Sequence, residues 1–506
     1  MVALFKAERR STIVGMNNND QTSRSVAIVG GGISGLATAW RLKELKPHWR
    51  VVVHEGNDRP GGVIQTRRQD DFTFELGPDS ILSRLPWGVG LCKRLGLEGE
   101  LIGTEAAARG VYTVHRGRAT RMPEGLAIMA PERMWPIVTT PILSPWGKMR
   151  LAAERLVARR TDPSDESLAD FARRRVGKEA FERIVQPLAG GIFMGDPERL
   201  SLRSCFPQFA GMEAEHGSLI KATQAAKKKA PPATNGKPAS VFVAPARGLG
   251  RIIETLAEKL GDAVQLGSRV ESAQKLSDGW QLTIQQGEGH SSFTEQYNAV
   301  VVATPAKATA AIIDQIEPRI ADIMRGIEYS SCAIVQLVYN RSDVPHPLDA
   351  SGMVVPHVEG RPLQACSFSS VKYAGRAPDG SVVLRLFFGG ALKPELVDLD
   401  ESALQDLACN EAASLLGVTA KPQATIVKQW KSSMPQYYVG HAERIDEVMQ
   451  LVAQHHGLEL AGAALHGVGI PHCIHTAEST AERLVEQLEA DEPQSSGQTA
   501  QTGATT

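Results

Sequence analysis

Apolar and polar positions divide this chain into stretches of different rhythm. Val26 to Val29 is a short unbroken apolar run rich in β-branched residues, the pattern of a strand buried on both faces. From Leu36 to Leu45 apolar residues recur at helical spacing, and "RVVVHE" (50–55) returns to a strand pattern, so residues 25–80 alternate strand and helix. Residues 84–210 read as helix-rich and basic, with clusters such as "RLAAERLVARR" and "DFARRRVG". The polar, lysine-rich "KATQAAKKKAPPATNGKPAS" (221–240) predicts an exposed loop. Beyond it, "GLGRIIETLAEKL" predicts a helix, and "VQLGSRVESAQKL" and "WQLTIQQ" the strands of a hairpin or meander. "YNAVVVATPAKATAAII" then repeats strand, turn and helix. Residues 330–430 alternate strands ("AIVQLVYN", "SVVLRLFFGG") with one helix, and "LELAGAALHGVGIPHCIHTAESTAERLVEQL" closes as strand, glycine-rich turn and helix.

The pattern predicts an α/β (α+β) chain whose nucleotide-binding unit opens the sequence and is completed at its far end. We expect a discontinuous Rossmann-like domain from 25–83, 240–305 and 431–490, and a helical subdomain over 84–210. A mixed-sheet substrate domain is expected from 211–239 and 306–430, with disordered termini at 1–24 and 491–506. The leading residues lack the apolar core of a secretory signal, and Met16 is a candidate start. No run is long and apolar enough to span a bilayer, so no membrane-spanning helix is expected, and the expected location is the cytoplasm or the periphery of the cytoplasmic membrane.

Composition narrows the chemistry. A formal net charge of −1 leaves no electrostatic footprint for nucleic acid. Six scattered cysteines, none in a CxxC pair, read as free buried thiols in a reducing compartment, and no metal-ligand spacing occurs.

Gly30, Gly32 and Gly35 form G-x-G-x-x-G between the first strand and the first helix. The first glycine permits a tight turn, the second lets backbone approach a pyrophosphate, and the third lets helix and strand pack closely. The helix start then offers N–H groups to the phosphates. Glu55, twenty residues past Gly35, is placed to bind a ribose hydroxyl and favours FAD or NAD over NADP.

Further strings carry a resemblance. "EGNDRPGGVIQT" resembles the second signature of amine-oxidase-class flavoproteins. "FELGPDSIL", "PLAGGIFMGDPERLSLRSCFPQF", "LRLFFGGA", "WKSSMPQYYVGH" and "GVGIPHCI" follow in order. Together they are similar to the flavin-dependent protoporphyrinogen/coproporphyrinogen oxidases of haem biosynthesis, from about Val26 to Leu488.

The resemblance implies non-covalent FAD, with oxygen as electron acceptor. It implies a porphyrinogen substrate that loses six hydrogens in three two-electron hydride transfers and yields hydrogen peroxide. Porphyrin would then pass to a downstream chelatase, and peripheral membrane contact is implied for many members. Protoporphyrinogen IX and coproporphyrinogen III both remain open as substrate.

Gly30, Gly31, Gly32, Ile33, Ser34, Gly35, Glu55 and Gly56 match the ADP-binding elements. Arg59 and Gly62 match the second signature, Gly77, Pro78, Asp79 and Ser80 the turn beside the flavin, and Val270 the adenine contact. Trp430 matches an aromatic near the isoalloxazine, and Val468, Gly469 and Ile470 the turn beneath its pyrimidine end. No catalytic side chain is called for, because the flavin performs the hydride transfer.

For the substrate, Ile192, Phe193 and Phe387 are apolar candidates and Arg84 a cation for a propionate; Phe387 and Phe388 alternate, so only one can face a cavity. Two departures from the family pattern are His472, read as a surface histidine, and Thr476-Ala477, which lacks a glycine for close approach to phosphate. The tryptophans Trp87, Trp135 and Trp146 beside basic helices suit a surface that lies on lipid. Alternative readings are an FAD-dependent amine or carotenoid oxidoreductase and a non-catalytic, Rab-escort-like flavin-binding scaffold.

Overall fold

The computed structural model describes residues 24–131, 133–229, 240–287 and 291–490. Residues 1–23 and 491–506, expected to be disordered, lie outside the described residues, as does 230–239 of the lysine-rich stretch.

Three runs rich in β-branched residues form the centre of a five-stranded parallel sheet because neither face meets water. Its order is Val264–Gln265, Arg50–His54, Ser25–Val29, Ala299–Val302 and Leu458–Leu460. One face packs on the helices Ile33–Leu45, Gly250–Leu260 and Ile470–Ala490. The other packs on the helices Ala306–Ile313, Pro318–Arg325 and His441–Val452 and on the antiparallel meander Ser268–Lys275, Trp280–Gln286, Ser292–Tyr297. The helices at 306–325, expected beside the substrate layer, thus lie on the nucleotide-type sheet.

A second, mixed sheet has the order Ala424–Pro435, Tyr329–Asn340, Ser381–Gly389, Leu363–Phe368, Gly352–Val354, Tyr112–His115, Arg118–Arg121. Its last two strands come from the stretch expected to be helical: "VYTVHRGRATR" alternates and turns at Arg116-Gly117, and Gly352–Val354 pairs with it in parallel. Alternation sends Val335, Leu337, Leu384, Leu386 and Phe388 into a core under the helix Glu401–Leu416. The opposite face carries Cys332, Ile334 and Gln336 beside Gly389, Phe387 and Arg385, with Trp430 and Lys428 on the adjoining strand.

The helical layer runs from Trp135 to Lys229. At its centre the Arg175 and Glu154 side chains are fully buried and paired. Glu154 also accepts from Ser218 Oγ and from the N–H of Leu219 at 2.8 Å, capping the helix Leu219–Lys229. That cap, with Leu219, Ile220 and Ala222 buried, makes helix of residues expected to be loop.

Candidate active site

The glycine loop sits at the carboxyl end of the parallel sheet, where open α/β sheets bind ligands. Gly30 follows Val29 with φ +108°, and a Cβ there would lie 2.7 Å from Ala303 O. A Cβ on Gly35 would lie 1.9 Å from Gly30 O, so this glycine sets the helix-to-turn distance. Gly32 differs, because no described atom lies within 4 Å of a Cβ built there. It caps the helix Ile33–Leu45, whose N-terminus has no side-chain hydrogen bond. A cradle of bare backbone at a helix start, open in front of Gly32, Ile33 and Ser34, fits a pyrophosphate.

Glu55 is buried. Its Oε2 accepts the Gly31 N–H at 2.7 Å and its Oε1 the Asn57 N–H at 2.8 Å. Oε1 also accepts from Asn57 Nδ2, whereas Oε2 takes only the Gly31 N–H among the described residues and keeps a second lone pair, so bracing the loop is compatible with binding a ribose hydroxyl. Gly61 N–H donates to Gly31 O at 2.7 Å, and Gly62 has its Cβ position 3.5 Å from Gly32 Cα. Arg59 turns back on its own loop, donating to Gly62 O at 2.7 Å. Gly56 lies against Arg269, and Val270, nearly buried, pairs with Ile284 in the meander.

The chain's far end completes the crevice. After Leu458–Leu460 the turn reaches Val468 and Gly469, and the helix Ile470–Ala490 begins. Tyr437 OH accepts the Gly467 N–H at 2.9 Å and donates to Ala463 O, fixing that turn. His472 is half-buried rather than on the surface. Its ring lies 5.8 Å from that of Trp87, which in turn stacks on His475 at 4.0 Å. Burial lowers the His472 pKa, and neighbouring His475 lowers it further. Trp87 is thus partly buried against the helix Ile470–Ala490, unlike the exposed Trp135 and Trp146 of the lipid-surface reading. Ala477 is buried in the helix crossing, with its carbonyl accepting from Thr38 Oγ1 at 3.3 Å. The small residue there serves helix packing.

Between these ends runs the turn Gly77–Ser80. A Cβ on Gly77 would lie 1.8 Å from Val63 O. Asp79 holds Lys372 Nζ at 2.9 and 3.0 Å, and Ser80 Oγ accepts from Lys372 Nζ and Tyr373 OH at 2.8 Å each. Burial would raise the Asp79 pKa, but Lys372 and Arg385 outweigh it and hold the carboxyl well below the usual range. Pro78 is half-buried, and the carbonyl before the turn, Leu76 O, accepts from Trp430 Nε1. Sequence reasoning passed over Arg385, although a lone cation within "SVVLRLFFG" was a visible signal. It donates to Gly77 O and lies 4.6 Å over the Phe387 ring.

Of the residues expected to meet substrate, Phe387 shares a face of the mixed sheet with Trp430, while its neighbour Phe388 is in the core. Phe193 is buried edge-to-face on Phe206 at 5.4 Å, and its neighbour Ile192 is exposed. Arg84 is exposed, with no side-chain partner among the described residues.

The chain matches the family described as flavin containing amine oxidoreductase over residues 33–485, and it belongs to that family. It is 32% identical over 462 residues to the coproporphyrinogen III oxidase of Bacillus subtilis (strain 168), covering 89% of this chain and 96% of that one. It is 28% identical over 480 residues to protoporphyrinogen oxidase 1, chloroplastic, of Arabidopsis thaliana, covering 90% and 86%. The crystal structure named "Putative protoporphyrinogen oxidase from Exiguobacterium sp. 255-15" superposes with a TM-score of 0.81 at 26% identity, covering 92% of this chain and 99% of that one. The chain is thus a flavin-dependent oxidoreductase, and the cradle at Gly32 suits its FAD.

Proposed function

We propose that the protein is an oxygen-dependent FAD oxidase that converts a porphyrinogen to the porphyrin in haem biosynthesis. The similarity to porphyrinogen oxidases along almost the whole chain carries this reading. Coproporphyrinogen III is the favoured substrate, since identity is greater with the Bacillus subtilis enzyme than with the chloroplast one. Bound FAD supplies the two-electron acceptor for each of three desaturations and returns the electrons to oxygen.

The chain's own residues bind, orient and exclude water. Gly30–Gly35 and Glu55 hold the ADP half, and Gly77–Ser80, Trp430 and Val468–Ile470 frame the flavin. Phe387 and Ile192 offer apolar surface to the macrocycle, and Arg84 a cation to a propionate. No nucleophile is required, because positive charge left by hydride loss from a meso carbon is delocalised over the pyrroles.

Purified, FAD-loaded protein given each porphyrinogen in turn should develop porphyrin fluorescence, faster with coproporphyrinogen III. Absence of porphyrin from both would overturn the reading, and release to a chelatase would follow only from its success.

A membrane surface is the second partner we propose. Trp135, Val138, Trp146, Met149 and Leu156 stand exposed on the helices Trp135–Thr139 and Pro145–Ala152 and the turn that follows. Lys148 Nζ ties the two helices by donating to Val138 O at 2.7 Å, and Arg155 and Arg159 are exposed nearby in sequence. Among the described residues no helix is long and apolar enough to cross a membrane. Apolar aromatics with flanking cations suit the headgroup layer. Flotation with anionic liposomes at low salt tests this, and protein left wholly in the dense fraction counts against it.

A further inference from the structure

Charge does not balance beneath the Gly77–Ser80 turn. Asp79 is shared by two cations, Lys372 Nζ at 2.9 Å and Arg385 Nη1 at 3.7 Å. The neighbouring Glu75 and Arg376 pair with each other at 3.4 Å. Three cations (Lys372, Arg376, Arg385) thus face two carboxylates (Asp79, Glu75), leaving one positive charge in excess. Lys428, 4.5 Å over the Trp430 ring on the same sheet face, adds another. Arg385 is almost fully buried, with its side chain 3% exposed and its Nε without a hydrogen-bond partner among the described residues. Buried cations are normally fully paired.

We propose that Arg385 is a positioning residue for the flavin. It fixes the Gly77–Ser80 turn through the Gly77 carbonyl and Asp79, and its surplus charge favours the reduced, negatively charged form of the cofactor. This rests on the proposed location of the isoalloxazine beside that turn. Charge held rigidly in a dry site acts more strongly than the same charge in water. A propionate is the less suitable counter-ion, because Arg385 lies in an interior strand of the sheet and is nearly inaccessible.

The test is a dye-equilibrated redox titration of FAD-loaded protein, which needs no porphyrinogen turnover and so stands apart from the substrate assignment. Arg385→Gln should weaken binding of reduced relative to oxidised FAD by about tenfold, a fall of about 30 mV for a two-electron couple. Arg385→Lys should recover part of that fall by restoring charge without the planar fork. Asp79→Asn removes the compensating anion and should move the potential upward. Opposite signs are the signature of a field effect; general loosening of the turn would not reverse with the sign of the deleted charge. Should Arg385→Gln retain no FAD, Lys372→Met takes its place, with a fall expected against the rise from Asp79→Asn. Shifts of the same sign, or potentials unchanged in these variants, would overturn the proposal.

Discussion

Glu55 Oε2 accepts the Gly31 N–H at 2.7 Å, so the acid ending one strand braces the glycine loop that follows its neighbour. The second carboxylate oxygen holds Asn57. Glu55→Gln keeps the side chain's shape but has only one acceptor oxygen, and its amide would point a donor at one of two N–H groups. A hydrogen bond to a charged group is worth about 1.5–3 kcal/mol, so FAD should dissociate roughly ten- to hundredfold more readily. Flavin fluorescence released on dilution measures this, and retention equal to the parent protein would contradict it.

Gly32 and Gly35 should fail in different ways. Gly32→Val meets no described protein atom within 4 Å of its Cβ, so the apoprotein should melt near the parent temperature while losing FAD. Gly35→Ala places a methyl 1.9 Å from Gly30 O and should lower the melting temperature of the apoprotein itself. Thermal melts paired with flavin occupancy separate the two, and equal melts for both variants would refute the distinction.

Acid should loosen the turn at the chain's far end. His441 is buried, stacks on Tyr437 at 4.1 Å and donates Nε2–H to Leu465 O at 3.0 Å. Burial pushes its pKa down from 6.5 to about 4, the Leu465 bond opposing the fall. The unfolded chain therefore gains a proton between pH 6.5 and 4 that the folded protein does not. Stability should fall as pH drops through that window, by at most about 3 kcal/mol from this group, and not change on its account above it. His441→Phe should remove that contribution. Urea midpoints across the window give the comparison, and curves of equal slope for both proteins would refute it.

Legibility in the sequence followed how local the cause was. The Val26–Val29 strand, the Gly30–Gly35 turn and the helix after it were readable because β-branched runs and glycine spacing act over a few residues. The hairpin at 112–121 is harder to read, because the strand that joins it to the sheet, Gly352–Val354, lies more than two hundred residues from Tyr112–His115. The polar composition of 221–229 predicts loop, because the carboxylate that caps their helix is Glu154, on a distant segment. His472 looked solvated until Trp87 arrived from another helix. The Asp79–Lys372–Arg385 cluster joins three strings that give no mutual signal, although Arg385 in an apolar strand could have raised the question.

The helical layer depends on its buried ion pair. Arg175 and Glu154 have no exposed side-chain surface. Glu154→Ala leaves the guanidinium with Glu213 at 3.3 Å as its remaining carboxylate and uncaps the helix at Leu219. Breaking a buried pair from one side costs about 3–5 kcal/mol. Limited proteolysis should then cut within 135–229 at protease concentrations that leave the parent intact, and an unchanged digestion pattern would argue against this weight.

Arg84 should act on substrate affinity more than on turnover. It is exposed at the end of the strand Ile81–Leu82, whose following residue Ser83 is anchored by its N–H to Val241 O at 3.0 Å. The backbone is therefore fixed while the guanidinium can reach a carboxylate. A contact that persists from substrate to transition state changes KM with kcat changing less. Solvent screening at an exposed site lowers its value to about 1 kcal/mol, so Arg84→Ala should cost roughly fivefold in kcat/KM. Arg84→Lys should keep much of the effect, because the charge remains without the fork. Coproporphyrinogen III, with four propionates to anchor it, should suffer less than protoporphyrinogen IX, with two. Steady-state kinetics on both substrates decide the matter: unchanged KM on each would assign Arg84 to the solvent and leave the propionates to other cations.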